Sequence, residues 1–446
     1  MSDEAPGPAS GPSEAAGPRD RPGGRRPRSA VIVGAGMAGL ATAWFLRRHG
    51  VEVTVVERRH VAAGASWGNA GWLSPAFAAP LNEPGTLRHG LGGLLKSTSP
   101  LYIPPRADPR LAAFLLAFTF NCTPRRWRAG MRAFAALNPR ALAAYDLLAE
   151  GGVAEPTKPS EPCLLATCTL AEHQAVVAEL ERVRAAGQEV RYDVLTGDEA
   201  RSAEPALTGR IGAAVRLHGQ RYLHPGRYVT ALADAVRARG GTIIEHAEVT
   251  AVDDRGGHVR VRTAPTANDL AGAGAELTAD VVVLATGAWL SRLARRFGVR
   301  VPVQSGRGYS FTVSGTAPPS GPTYFPTCKV VCTPLTDSTT RIAGTMEFTG
   351  PDRPLDPRRI DAIVAAARPL LRGVDWASRG DEWTGPRPCT PDGLPLVGAT
   401  RSPRVYVCGG HGMWGIALGP LTGLLLADAI ATGRTPPELA PLHPLR

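Results

Sequence analysis

Three glycines and one carboxylate carry the clearest chemistry in this chain. In AVIVGAGMAGLATAWFLRRHGVEVTVVE, residues 30–57, Gly34, Gly36 and Gly39 follow an apolar run, and Glu57 closes a second, β-branched one. Gly34 permits a tight turn, Gly36 lets backbone approach a pyrophosphate, and Gly39 lets a helix pack on a sheet. The helix that opens at Met37 and Ala38 points its positive end at the phosphates. At the end of the second run, Glu57 can accept both hydroxyls of an adenosine ribose, with Arg58 beside it in the same site. A carboxylate there suits FAD or NAD and repels the 2′-phosphate of NADP.

The elements that must position these residues are scattered along the chain. After Glu57 comes a loop, GASWGNAGWLSP, at 64–75. Residues 109–150 are helical in pattern, and so are 171–186 and 226–239. TIIEHAEVTAVDD (242–254), which contains Val249, and HVRVRT (258–263) alternate like a hairpin or meander. ADVVVLATGAWL (279–290) reads as a buried strand running into a turn at Thr286 and Gly287, a pattern suited to a strand end that touches a cofactor. Segments from 300 to 385 are short, β-like and broken by Pro and Gly. RVYVCGG (404–410) is a last strand, followed by a helix over 414–431.

This order predicts an α/β protein: a Rossmann-like nucleotide lobe assembled from discontinuous segments, plus an α+β substrate lobe with a mainly antiparallel sheet. The first lobe takes 29–95, 215–299 and 386–446; the second takes 96–214 and 300–385. Residues 1–28, rich in Pro, Gly, Ala and Arg, read as a disordered tail. Arg25-Arg26 before the apolar stretch 30–46 mimics a twin-arginine signal, but cleavage there would destroy the nucleotide site. The best candidate membrane span, 413–427, is broken by Gly415, Gly419, Pro420 and Gly423.

The bulk composition bounds the rest. The chain has 446 residues, 43% hydrophobic and 20% charged, which suits a soluble globular protein of two lobes. The net charge of +11 rests on arginine, with lysine only at 96, 158 and 329. No Lys/Arg run with interleaved aromatics accompanies it, so nucleic acid is not an expected partner. Seven cysteines, odd in number and without C-x-x-C spacing, predict reduced thiols and no metal site.

Several separated stretches resemble the FAD-dependent amine oxidoreductases of the D-amino-acid oxidase superfamily, in particular the bacterial D-amino-acid dehydrogenase type, with glycine oxidase as a relative. They are VIVGAGMAGL, ASWGNAGWLSP, SPLYIPPRADPR (99–110), LATGAWL (284–290), VPVQSGRGYSF (301–311), WTGPRPCTPDGLPLVG (383–398) and GGHGMWGIALGPLTG (409–423). The resemblance implies FAD and oxidation of an amine to an imine by hydride transfer to flavin N5, giving a 2-oxo acid and ammonia. By the same match Arg387 inherits the role of substrate-carboxylate anchor, and Ser66, Asn69, Ala70 and Gly71 line the flavin ring or its phosphates. Tyr309, on a strand that borders the substrate in relatives, becomes a substrate-side hydrogen-bond donor.

The last glycine cluster, Gly410, Gly412 and Gly415 around His411, lets backbone pass close to a flat group. The helix start at Gly415, Ile416 and Ala417 can then aim amide N–H groups at the flavin N1–C2=O edge, which turns negative on reduction. His411 is either a contact near the flavin or a turn residue bonded to backbone. Met413 and Trp414 stand where glycine oxidase has an arginine-bearing sequence, which implies a larger and more apolar wall. In sarcosine-oxidase relatives the covalent cysteine lies farther upstream than Cys389, so non-covalent FAD is expected.

The dehydrogenase branch passes electrons to a quinone, whereas oxidases use O2. A quinone acceptor implies peripheral contact at the inner face of a membrane for a cytoplasmic protein. The segment 111–132, joining LAAFLLAF to Arg125, Arg126, Trp127, Arg128 and Arg132, is the candidate contact. Alternatives are an O2-using oxidase of glycine, sarcosine or a cyclic imino acid, and a tailoring flavoenzyme of secondary metabolism. A tRNA-associated flavoprotein is a weaker alternative.

Overall fold

Strand Ser29–Val33 lies at the middle of a parallel sheet, between Glu52–Val56 and Val281–Leu284. The computed structural model describes residues 26–85, 96, 98–105, 107–264, 274–316 and 318–446. Among these, six strands form that sheet in the order 242–244, 52–56, 29–33, 281–284, 405–409, 396–399. The first five run parallel and the last is antiparallel. VIV, VVVL and VYV are continuous apolar runs because helices and a second layer cover both faces of the sheet. The strand ends at Val33 and Leu284 open a crevice at their carboxyl side, where such sheets bind ligands.

Two helices cross on one face of this sheet, Met37–Arg48 and Gly415–Thr432. Their backbones come close because the second carries glycines at the crossing. A Cβ on Gly423 would stand 2.8 Å from the amide nitrogen of Thr42. Gly415–Thr432 is one continuous helix despite Pro420 inside it. Pro420 has no N–H to give the Ile416 carbonyl, and the Tyr145 hydroxyl donates to that oxygen instead. By length and composition this helix could cross a membrane, but 72% of it is buried inside the protein, as a core helix would be.

The second large sheet has nine strands. Its path runs 374–389, 304–315, 339–348, 330–334, 323–325, 164–167, 213–217, 192–196, with 101–102 added beside 339–348. Only the pairings of 323–325 with 164–167 and of 101–102 with 339–348 are parallel. The mainly antiparallel substrate sheet is thus as expected.

Region 300–385 differs from its short-segment reading. Gln304–Gly315, Thr339–Phe348 and Val374–Cys389 are long strands, and Pro357–Ala367 is a helix capped by Asp356. The glycines lie inside strands as sites of close packing rather than as breaks. The alternating run 242–254 also divides. Thr242–Ile244 joins the parallel sheet and Val249–Asp254 a separate antiparallel one, with His246 at φ 57° between them.

The lobe boundaries shift for the same reasons. Strand Ala213–Leu217 pairs wholly within the nine-stranded sheet, so the crossing falls after 217 rather than at 215. Strand Val374–Cys389 carries Arg387 and Pro388 into the substrate sheet, past the expected break at 386. Conversely, Phe134, Leu137, Tyr145 and Leu148 pack in the core of the nucleotide lobe.

The tail at 1–28 lies outside the described residues except for its last three. The helical stretch 109–150 is three helices, Pro109–Asn121, Pro124–Leu137 and Ala141–Glu150, the first two broken by the Thr123 cap and Pro124. Trp127 is only 7% exposed and packs with Met131 and Leu180, so it does not face a headgroup layer.

Candidate functional site

The turns after four parallel strands and the starts of both crossing helices border one cavity of about 420 Å3. At Gly34, with φ +112°, a Cβ would stand 2.5 Å from the Ala285 carbonyl oxygen, so only glycine lets these two strand ends approach. Gly36 leads into the first helix with no side-chain cap. The amide of Met37 donates to Ser66 Oγ at 3.0 Å, which ties the 64–71 loop to the helix start. Asn69 shapes that loop by donating to the Ser66 carbonyl at 2.9 Å and accepting from the Gly71 amide at 2.8 Å.

Glu57 stands at one end. Its two carboxylate oxygens accept the amides of Ala35 at 2.9 Å and Arg59 at 3.0 Å. A carboxylate offers about four acceptor sites, so two remain for a ligand. Arg58, Glu248, Val249, Trp289 and Arg292 line this end with it. Midway, Thr286 and Gly287 border the cavity, and Thr286 Oγ1 is buried without a partner among the described residues.

At the other end lie His411, Gly412, Met413, Gly415 and Ile416, faced by Trp383, Ala343 and Arg387. The helix Gly415–Thr432 begins there without a side-chain cap, so its first amides keep their hydrogen-bonding capacity. His411 is buried, and its Nε2 lies 2.8 Å from Thr422 Oγ1. The Thr422 hydroxyl donates to the carbonyls of Leu418 and Gly419, at 3.0 and 3.1 Å. Its lone pair therefore accepts from His411 Nε2–H, and burial holds the imidazole neutral with a pKa of about 4.

Arg387 is the unusual group. It lies on strand Val374–Cys389 opposite Gly306, and its guanidinium rests over Gly308, where a Cβ would come within 2.4 Å of Nη2. Among the described residues no carboxylate pairs with it, and burial pushes its pKa down. Two buried arginines nearby, one in this sheet and one on helix Pro357–Ala367, do have partners. Arg307 pairs with Glu347 at 3.2 Å and Arg359 donates to two carbonyls, at 2.7 and 3.1 Å.

Several candidates fall elsewhere. Tyr309 borders the cavity, but its hydroxyl donates to buried Glu347 at 2.8 Å, so it is not a donor toward a substrate. Burial and that bond raise its pKa. Gly39 is absent from the lining because it packs helix on strand, a Cβ there falling 2.1 Å from the Gly34 oxygen. Ala70 and Gly71 turn away from the cavity, the Ala70 carbonyl accepting from Thr333 Oγ1 at 2.7 Å. Gly410 packs on Thr390 and Leu396, and Ala417 is buried two residues past the helix start. Trp289 and Trp383 were missed as site residues, although both lie in the motifs LATGAWL and WTGPRPC.

The model of the FAD dependent oxidoreductase family, DAO, matches residues 29–429. A D-amino acid dehydrogenase from Cereibacter sphaeroides is 32% identical over 426 residues, 91% of this chain and 92% of the relative. One from Xanthobacter autotrophicus is 32% identical over 421 residues, 91% of this chain and 96% of the relative. Among solved structures, glycine oxidase from Geobacillus kaustophilus superposes with a TM-score of 0.69 at 24% identity, covering 94% of this chain and 99% of that one. L-alpha-glycerophosphate oxidase from Mycoplasma pneumoniae with FAD bound gives 0.66 at 17%, covering 92% and 96%.

The chain belongs to the DAO family and is an FAD-dependent oxidoreductase. The cavity fits that cofactor on its own terms. It joins a carboxylate end, two helix starts whose N-cap residues supply no side-chain cap, and an orphaned hydroxyl between them.

Proposed function

We propose that this protein oxidises the amine of a D-amino acid to an imine, which water converts to a 2-oxo acid and ammonia. The observation that carries the reading is the Arg387 guanidinium, which borders the cavity with no carboxylate among the described residues to pair with. A planar fork in a buried site matches a substrate carboxylate bidentately. The D-amino acid class follows from the names of relatives that align over nearly the whole chain.

FAD, when bound, supplies the hydride acceptor. The protein's residues orient the substrate. Arg387 holds the carboxylate so that one Cα–H faces the reacting edge, and the start of helix Gly415–Thr432 favours negative charge there. The acids that line the cavity, Glu57 and Glu248, both lie at its far end. His411, kept neutral and bonded to Thr422, is not a proton acceptor for an ammonium near pH 7. The substrate therefore reacts with its amine already neutral, the proton leaving to solvent. Met413 and Trp383 give that end an apolar wall, which suits amino acids with apolar side chains.

The cofactor is held without a covalent bond. Cys389 lies with Met346 and Phe348 in a separate apolar cluster. Cys408 borders the cavity, but burial pushes its thiol up to about 11, which suppresses the thiolate. Gly34, Gly36, Met37, Ala38, Glu57, Arg58, Ser66 and Asn69 would hold the adenosine and pyrophosphate.

A quinone is the proposed acceptor, reached by docking at the inner face of a membrane. On helix Pro109–Asn121, Leu116 is 75% exposed and Phe120 65%, in line with exposed Ala112. Arg110, Arg125, Arg126 and Arg128 flank them, all exposed. An apolar stripe rimmed by cations is the chemistry of an anionic membrane surface.

The reading is tested by mixing the holoenzyme anaerobically with D- and L-amino acids. Flavin bleaching by D-isomers with apolar side chains, with a stoichiometric 2-oxo acid, supports it. Bleaching by L-isomers alone, or by none, overturns it. Fast reoxidation of the bleached enzyme by air, with no response to a soluble quinone, would replace the dehydrogenase reading by an oxidase.

A further inference from the structure

Residues Thr349–Asp356, TGPDRPLD, leave the substrate sheet after Thr339–Phe348 and run into the helix Pro357–Ala367. Pro351 and Pro354 stiffen the segment. Both of its ends are tied to strand Gln304–Gly315. The Thr349 amide donates to the Ser305 carbonyl at 3.3 Å, and Gln304 Nε2 donates to the Thr349 carbonyl at 3.1 Å. Buried Arg307 donates through Nη2 to the Pro354 carbonyl at 3.0 Å.

The tip of the segment crosses to the nucleotide lobe. Trp289 Nε1 donates to both carboxylate oxygens of Asp352, at 3.2 and 3.0 Å. Arg58 Nη2 lies 3.2 Å from Oδ1 of the same carboxylate, and the Arg58 guanidinium carbon stands 3.9 Å over the Trp289 ring. Arg58 and Trp289 are walls of the cavity at the Glu57 end, whereas Asp352 stands behind them. One carboxylate from the opposite lobe thus fixes a cation stacked on an indole. Partial burial raises the Asp352 pKa, but the bonds from Trp289 and Arg58 and the nearby arginine charges outweigh it and leave it lowered.

We propose that Asp352 is a cofactor-retaining residue, holding Arg58 and Trp289 as a wall that clamps the adenosine half of FAD from across the lobe boundary. A guanidinium plane and an indole both stack on a purine, and an arginine fixed beforehand loses less freedom when the ligand arrives. The stiff, doubly tied segment makes the clamp part of the substrate lobe, so release of FAD requires Asp352 to let go. The claim concerns the cofactor alone and stands whichever amine is oxidised.

The test is the rate at which the holoenzyme releases FAD on dilution, followed by the rise of free-flavin fluorescence. Asp352→Ala releases FAD about tenfold faster than wild type, the loss of ~1.4 kcal/mol. Asp352→Asn falls between, since its carboxamide oxygen still accepts from Trp289 while the charge on Arg58 is unpaired. Visible absorption of the flavin still bound stays as in wild type, because the ring end is untouched. Equal release from wild type and Asp352→Ala overturns the proposal. So does faster release with an altered bound-flavin spectrum or a lowered apoprotein Tm, each of which marks a disturbance of the whole fold.

Discussion

The Arg387 guanidinium lies over Gly308 so closely that a Cβ on Gly308 would fall 2.4 Å from Nη2 and 2.6 Å from Cζ. The two residues sit on neighbouring antiparallel strands, where Gly308 pairs with Gly385 and Arg387 with Gly306. A glycine therefore sets the height at which the cation meets the cavity. Gly308→Ala is expected to leave FAD binding intact and raise KM for the amino acid about five- to a hundredfold, from an overpacking cost of ~1–3 kcal/mol. Steady-state kinetics beside a flavin titration check this.

Arg387→Ala is expected to reduce kcat/KM by the cost of leaving a buried substrate carboxylate unpaired, about 2–5 kcal/mol. Arg387→Lys should recover little of it, because a point charge does not reproduce the planar fork. Flavin content should equal that of wild type in both variants. Near-normal kinetics in Arg387→Ala would point to a substrate without a carboxylate.

His411 links the site to pH. Its pKa falls from 6.5 to about 4 on burial, so the unfolded chain binds a proton there that the folded protein does not. Its contribution to stability is complete above pH 6.5 and is lost as pH falls toward 4. The full change is on the order of 3 kcal/mol. Tm measured between pH 7 and pH 4 should drop more steeply in wild type than in His411→Gln, which has no proton to gain.

Tyr145→Phe tests how the core helix tolerates its proline. Removing the hydroxyl leaves the Ile416 carbonyl without that partner at the position where Pro420 donates nothing. A loss of about 1–3 kcal/mol in unfolding free energy is expected by denaturant titration. Because Ile416 borders the cavity, flavin affinity should weaken with it.

The nucleotide lobe was legible because its signals are local. Gly34, Gly36 and Glu57 sit within one strand–helix–strand unit, and all three border the same cavity. Tyr309 was not legible in the same way. Its place on the strand was clear, but the direction of its hydroxyl depends on Glu347, thirty-eight residues away. Trp127 misled for a related reason: three flanking arginines suggest a surface, yet the helix rotates the indole inward while Leu116 and Phe120 of the preceding helix stay out. Strand Val374–Cys389 was not legible as one element, because it runs through Pro386 and Pro388. Asp352 carried no sequence signal at all, since its partners Arg58 and Trp289 come from the other lobe.

The central claim is that Arg387 holds the carboxylate of an amino acid whose amine is oxidised. Its most direct test is anaerobic stopped-flow bleaching of the bound flavin by a D-amino acid and by the amine that differs from it only in lacking the carboxylate. The account predicts rapid bleaching of wild type by the D-amino acid and slow bleaching by the amine. In Arg387→Ala the two rates should converge at the slow value. Equal bleaching of wild type by both compounds, or an unchanged preference for the D-amino acid in Arg387→Ala, would contradict it.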